Sequence, residues 1–146
     1  MDKELNRRIA RSFLENIGTL DPDRLRPMMG DPFVFKTMFR SKGHPLIAEL
    51  PQDEFFRFLL SAQSIFPNRC RHQVVGTVAE GDLVAVETEC FAEMSDGRLY
   101  NNLFHFHIRL TLGKIVEVRE YGDFLHAQEV LFPAYCIHQV DATGAA

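Results

Sequence analysis

The stretch 98-RLYNNLFHFHIRLTLGKIVEVREYGD-123 decides how the rest of the chain is arranged. Phe104, Phe106, Ile108 and Leu110 recur at every second position, with His105, His107 and Arg109 between them. That is the period of a strand with one buried face. After Leu112-Gly113 the alternation resumes, with Val116 and Val118 on one side and Glu117 and Arg119 on the other. Two such strands joined by a tight turn form a hairpin.

The register of that hairpin sets the direction of Glu120, because a slip of one residue moves every side chain to the opposite face. A two-residue Leu112-Gly113 turn places Leu110 opposite Ile115 and His105 opposite Glu120, which mixes imidazoles with valines. A three-residue turn with a bulge, Gly113 taking the left-handed position, places Leu110 opposite Lys114 and Phe104 opposite Glu120. The second register separates apolar from polar residues and is preferred. It puts a carboxylate at the inner end of an apolar strand face. Glutamate is seldom buried without a partner, since desolvating its charge is costly and raises its pKa. Glu120 is therefore a candidate acid/base or an anchor for a polar ligand group. A strand-end glutamate paired with an arginine is the alternative.

Upstream, Leu5, Ile9, Phe13 and Ile17 follow helical spacing, with Asp2 as cap and Gly18 as stop. Asp21-Pro22 starts a short second helix. Residues 33–39 have strand character, with Met38 on the side of Val34 and Lys36. Residues 40–50, which contain His44, read as a loop at a cavity mouth where His44 can meet a ligand. Residues 51–66 form the strongest helix, with Phe55, Phe58, Leu59, Ala62 and Phe66 on one face and Pro67 after it. Strands at 69–79 and 83–94, joined by Glu80-Gly81-Asp82, lead into the hairpin as an antiparallel meander. Val84, Val86, Thr88, Cys90 and Ala92 share one face. Asp123 can cap a last helix, 124–132, before Pro133.

The expected fold is thus α+β: a curved, mostly antiparallel sheet wrapped around three helices, plus a short C-terminal helix. Residues 1–132 form one domain and 133–146 a tail. The 146 residues suffice for one core. Thirteen phenylalanines and no tryptophan suggest a greasy core or cavity. A net charge of −4, with dispersed basic residues, argues against nucleic acid. No apolar run approaches the ~20 residues of a membrane span, and no secretory leader is evident, so no membrane association is expected. Cys70, Cys90 and Cys136 lack C-x-x-C spacing, and free thiols fit a cytoplasmic protein.

Tyr100-Asn101-Asn102, the alternating aromatics, Gly113-Lys114-Ile115-Val116-Glu117-Val118-Arg119-Glu120-Tyr121 and Asp123 resemble the C-terminal half of SnoaL-like proteins, which belong to the nuclear-transport-factor-2-like superfamily. Arg119-Glu120, the Tyr-x-Asn start and Phe66-Pro67 are also similar to phenazine biosynthesis A/B-type proteins. The resemblance implies a cone with a ligand pocket at its open end. It also implies a homodimer through the outer sheet face, where His105, His107 and Arg109 lie.

By the same resemblance Glu120 falls on the phenazine-type glutamate and near the SnoaL-type acid/base aspartate. The phenazine-type histidine position holds Phe58, so His72 on a neighbouring strand is the replacement candidate. The Asp-Arg-Asp set of limonene epoxide hydrolases would need Thr88 and Cys90 to be charged. A ketosteroid isomerase would need an aspartate near Lys36. Neither activity fits.

The candidate site is therefore Glu120 and His72 as acid/base groups, with Tyr100, Asn102, Phe104, Val118, Phe58, Met38 and His44 around a ligand. Tyr100 and Asn102 can hydrogen-bond a substrate oxygen. No third ligand joins His105-x-His107, so no metal is expected, and no cofactor motif is present. Three functions stay open. One is an isomerase, cyclase or condensing enzyme of secondary metabolism acting on a hydrophobic cyclic molecule. Another is a binding protein with the same pocket, and the last is an interaction domain.

Overall fold

The computed structural model describes residues 2–40 and 49–132. The expected role of His44 and the expected tail 133–146 lie outside the described residues. Helix α1 (Lys3–Ile17) starts where the Asp2 carboxylate accepts hydrogen bonds from the Glu4 and Leu5 amides. Its buried stripe is Asn6, Ala10, Phe13, Leu14 and Ile17, rotated from the expected one so that Leu5 is exposed. Burial of Asn6 is tolerated because its amide donates to the Gly81 carbonyl at 3.2 Å. Helix α2 (Pro22–Leu25) has Asp21 as cap and proline in its first turn, and a 3-10 turn leads out of it.

Six strands among the described residues form one sheet. β1 (Met29–Thr37) begins earlier than its alternation suggests, and β2 (Glu49–Pro51) is a short edge strand without a signal of its own. After helix α3 (Gln52–Ala62) come β3 (Cys70–Glu80), β4 (Leu83–Ala92), β5 (Asn102–Thr111) and β6 (Lys114–Gly122). The spatial order is β2-β1-β6-β5-β4-β3. Among the described residues only the β1–β6 pairing is parallel, and the last four strands form the expected meander. Helix α4 (Phe124–Leu131) follows, its His126 amide bound by the Asp123 carboxylate. The molecule is α+β, with a curved open sheet and helices packed on its inner face. None of its described helices is long and apolar enough to cross a membrane.

The central hairpin departs from the expected register. Leu112 and Gly113 both take positive φ, 50° and 73°, and form a two-residue turn closed by Thr111 opposite Lys114. Leu110 then faces Ile115, and Arg109 faces Glu117, so Val116 is an extra residue in β6. Beyond this bulge Ile108 faces Val118 and Phe106, not Phe104, faces Glu120. The pairing differs from expectation by two residues, an even number, so Glu120 keeps the side of Phe104, Phe106 and Ile108. Ile115 takes the buried place expected of Val116. Val116 instead packs against Gly30, where an added Cβ would lie only 2.8 Å from its Cγ1.

Helix α3 buries Phe55, Phe56, Leu59 and Ala62, whereas Phe58 is 50% exposed. The apolar stripe runs through Phe56 rather than Phe58. Phe55 joins the helix to the sheet, stacking on Phe35 at 4.8 Å and tilting against Phe33 at 5.5 Å.

Candidate functional site

A cavity of about 130 Å³ lies between the inner sheet face and the helices. Phe35, Phe55, Leu59, Phe66 and Phe104 supply much of its apolar wall, with Phe58 and Leu131 where it meets the exterior. Its polar members are Glu120, His72, Tyr100, Cys70 and Cys90. Of the residues singled out from sequence, Glu120, His72, Tyr100, Phe104 and Phe58 line this space. Val118 is wholly buried in the core and is not in the lining. Met38 also lies outside the lining, but its amide donates to the Glu120 carbonyl at 2.9 Å and fixes the strand there.

Glu120 sits on β6 between Thr37 of β1 and Phe106 of β5, so its backbone is held on both sides. The residue is half-buried and lines the cavity. Burial pushes its carboxyl up to about 7, and among the described residues no cation offsets the shift. A carboxyl tuned to this range can both give and take a proton near neutral pH.

His72, on β3, is pushed in the opposite sense. Burial lowers its imidazole to about 4. Nδ1 lies 3.3 Å from the buried Thr88 hydroxyl, and the ring rests against Phe104 and Phe106 at 5.7 and 6.1 Å. Desolvation acts on both groups by disfavouring charge, so between about pH 4 and pH 7 the proton resides on Glu120 and both groups are neutral.

Asn102 has its side chain committed elsewhere. Its Nδ2 donates to the Tyr100 hydroxyl at 2.9 Å and to the Asp123 carbonyl at 3.2 Å, while Oδ1 accepts from the Leu103 amide at 2.7 Å. It is absent from the cavity lining, and its amide donor is committed to the Tyr100 hydroxyl. The Tyr100 ring is clamped between Phe66 and His126, both at 5.7 Å, the latter parallel to within 1°. Burial is the main cause that raises its hydroxyl well above the ordinary tyrosine range, so it stays protonated and can donate.

Sequence patterns did not single out Cys70, Cys90, Phe35 or Phe55 as lining. The two cysteines carried a usable signal, since they lie nearly symmetrically about the Gly81 turn and antiparallel pairing brings them to one face. On the outer face, Glu117 binds Lys36 at 3.3 Å and Arg119 at 2.9 Å, and Lys36 also reaches Glu49 at 3.7 Å. Burial opposes ionisation of Glu117, but hydrogen bonds from Arg119 and Lys36 outweigh it and hold the carboxyl below its usual range. His105, His107 and Arg109 lie on this face, opposite in parity to Phe104, Phe106 and Ile108.

No family model and no curated protein matches the chain. Solved structures do match. An NTF2-like protein of unknown function from Burkholderia pseudomallei K96243 superposes with a TM-score of 0.75 at 14% identity, covering 90% of this chain and 99% of that one. A candidate SnoaL-like polyketide cyclase from Jannaschia sp. CCS1 gives 0.72 at 16% identity, covering 86% and 90%. IdmH, a candidate polyketide cyclase from Streptomyces antibioticus, gives 0.69 at 20% identity, covering 83% and 94%. The similarity to phenazine biosynthesis proteins rests on the sequence alone. What the superpositions share with this chain is the helix-filled, curved sheet, and the chain therefore has the NTF2-like fold of the SnoaL-like proteins.

Proposed function

We propose that this protein binds a small hydrophobic cyclic molecule in the cavity and uses Glu120 for proton transfer on it, in an isomerisation, cyclisation or condensation. The observation that carries this is a carboxyl raised to about 7 without a cationic partner, in an apolar cavity that also holds a neutral imidazole. An enclosed apolar space near 150 Å³ accommodates about one benzene-sized ring. The cavity of about 130 Å³ suits one ring of a larger compound, the remainder passing Phe58 and Leu131. The fold neighbours described as candidate polyketide cyclases support this ligand class.

The test is a thermal-shift panel of cyclic ketones, aromatic acids and polyketide-like phenols against the wild type and Glu120→Gln. A ligand at a hundredfold excess over its Kd adds roughly 2.7 kcal/mol, or about 5–10 °C for a chain of this size. One ring class is expected to shift the wild type most below pH 7 and less as Glu120 ionises, with the glutamine variant binding equally across that range. Turnover of that compound by the wild type and not by Glu120→Gln supports the enzyme. Binding without turnover by either leaves a binding protein, and the absence of any shift overturns the pocket.

A homodimer through the outer sheet face accompanies this proposal. Leu103 and Val78 are 62% and 69% exposed there, and the buried His107 Nδ1 has no partner among the described residues. Sedimentation is expected to give a dimer for the wild type and a monomer for Leu103→Asp. A wild type that stays monomeric at micromolar concentration excludes this interface.

A further inference from the structure

Cys70 is the first residue of the edge strand β3, opposite Ala92, and Cys90 of β4 stands opposite His72. The two cysteines are thus diagonal neighbours on the inner sheet face. Both are free, both line the cavity, and their side chains interact. Their accessibility differs. Cys90 is 2% exposed, while Cys70 is half-buried and also borders an open groove of about 450 Å³ on the helix side of the sheet, beside Thr19, Arg24 and Gln63. A small oxidant entering that groove meets Cys70 first. Proton transfer at Glu120 uses neither thiol.

We propose that Cys70 and Cys90 are a peroxide-oxidisable thiol pair, closing to a disulfide across the cavity wall and so forming a modification site on the pocket. The Cys70 thiolate attacks one oxygen of a hydroperoxide. The O–O bond breaks, the other oxygen takes up a proton and leaves as an alcohol, or as water from hydrogen peroxide, and Cys70 becomes a sulfenic acid. The Cys90 sulfur then attacks the Cys70 sulfur, its proton leaves with the hydroxyl as water, and the S–S bond forms. The two thiols give up two electrons and two protons, and the peroxide is reduced by two electrons.

The surroundings divide the two roles. Interaction with Cys90, and secondarily the Arg69 charge, outweigh burial and hold the Cys70 thiol below its ordinary range, which favours the attacking thiolate. The same interaction together with burial raises Cys90 well above its range, as fits a resolving thiol. Diagonal residues on antiparallel strands have Cα atoms about 7–8 Å apart, beyond the roughly 4.4–6.8 Å that a disulfide usually spans, so closure requires the backbone to move. Closing the bond draws the first residue of β3 inward against the hydrogen bond from its amide to the Gly18 carbonyl at 2.8 Å, and a bond held in that way is readily reduced.

Reduced full-length protein is treated with one equivalent of hydrogen peroxide and analysed by intact mass and peptide mapping. The expected result is the loss of two hydrogen masses, a linked Cys70–Cys90 peptide, and reversal by dithiothreitol, all retained in Cys136→Ser. Cys90→Ser is expected to accumulate a dimedone-reactive sulfenic acid on Cys70. Oxygen addition at Cys70 without a link in the wild type overturns the proposal, as does a link from either cysteine to Cys136. So does a Cys70 that remains unmodified.

Discussion

Replacing Glu120 by glutamine is expected to convert a nearly flat stability profile between about pH 4.5 and 6.5 into one that climbs with pH. In the folded state Glu120 titrates at about 7 against an ordinary 4.5, so the native protein holds this proton more tightly than the unfolded chain. Its contribution is complete below pH 4.5 and is lost as pH rises through 7, a total of about 3 kcal/mol. His72 acts with the opposite sign. Its folded value of about 4 lies below the ordinary 6.5, so stability is complete above pH 6.5 and is lost as pH falls through 4, again by about 3 kcal/mol. Where the windows overlap, the proton gained by native Glu120 is matched by one gained by unfolded His72, and the slopes cancel. Glu120→Gln leaves the His72 slope, up to about 1.4 kcal/mol per pH unit. His72→Gln leaves the reverse slope. Urea melts at half-unit pH steps measure both, and variant profiles parallel to the wild type would exclude burial of the two groups.

Phe55→Ala is expected to lose about 3–5 kcal/mol, the usual cost of removing a fully buried phenyl ring. Phe55 is 0% exposed and contacts Phe33, Phe35 and Phe56, so it ties α3 to β1 and forms part of the cavity wall at once. Its removal enlarges the cavity with apolar space that a ring can refill. Benzene or indole is therefore expected to raise the melting temperature of the variant by more than that of the wild type. A variant with near-native stability would mean that α3 collapses onto the sheet, and equal responses to benzene would separate the ring from the cavity.

The inward direction of Glu120 was legible because facing depends only on whether the register is odd or even, and the alternation from Phe104 to Leu110 carries that information. The pairing itself was not, since Ile115, Val116 and Val118 are all apolar and nothing in their order marks which one the strand loops out. In α3 the phenylalanines at 55, 56 and 58 allow two stripes, and docking against β1 selects the one through Phe56. Sequence alone places Asn102 on the strand face of Phe104, where its amide can either hydrogen-bond a substrate oxygen or satisfy buried backbone. Its bonds to Tyr100 and Leu103 are local, and the third depends on the Asp123 carbonyl arriving from the far end of the hairpin, which no local pattern reports. Strand β2 is too short to show a period.

The extra residue at Val116 bears on how this chain is compared with others. A bulge is an insertion that the sheet has absorbed, and a relative without it has one residue fewer in the returning arm of the hairpin. Aligned from the turn without a gap at Val116, such a relative would set its inward carboxylate beside Arg119 of this chain, and the two would seem to lack a common group. With the gap, the columns regain their phase.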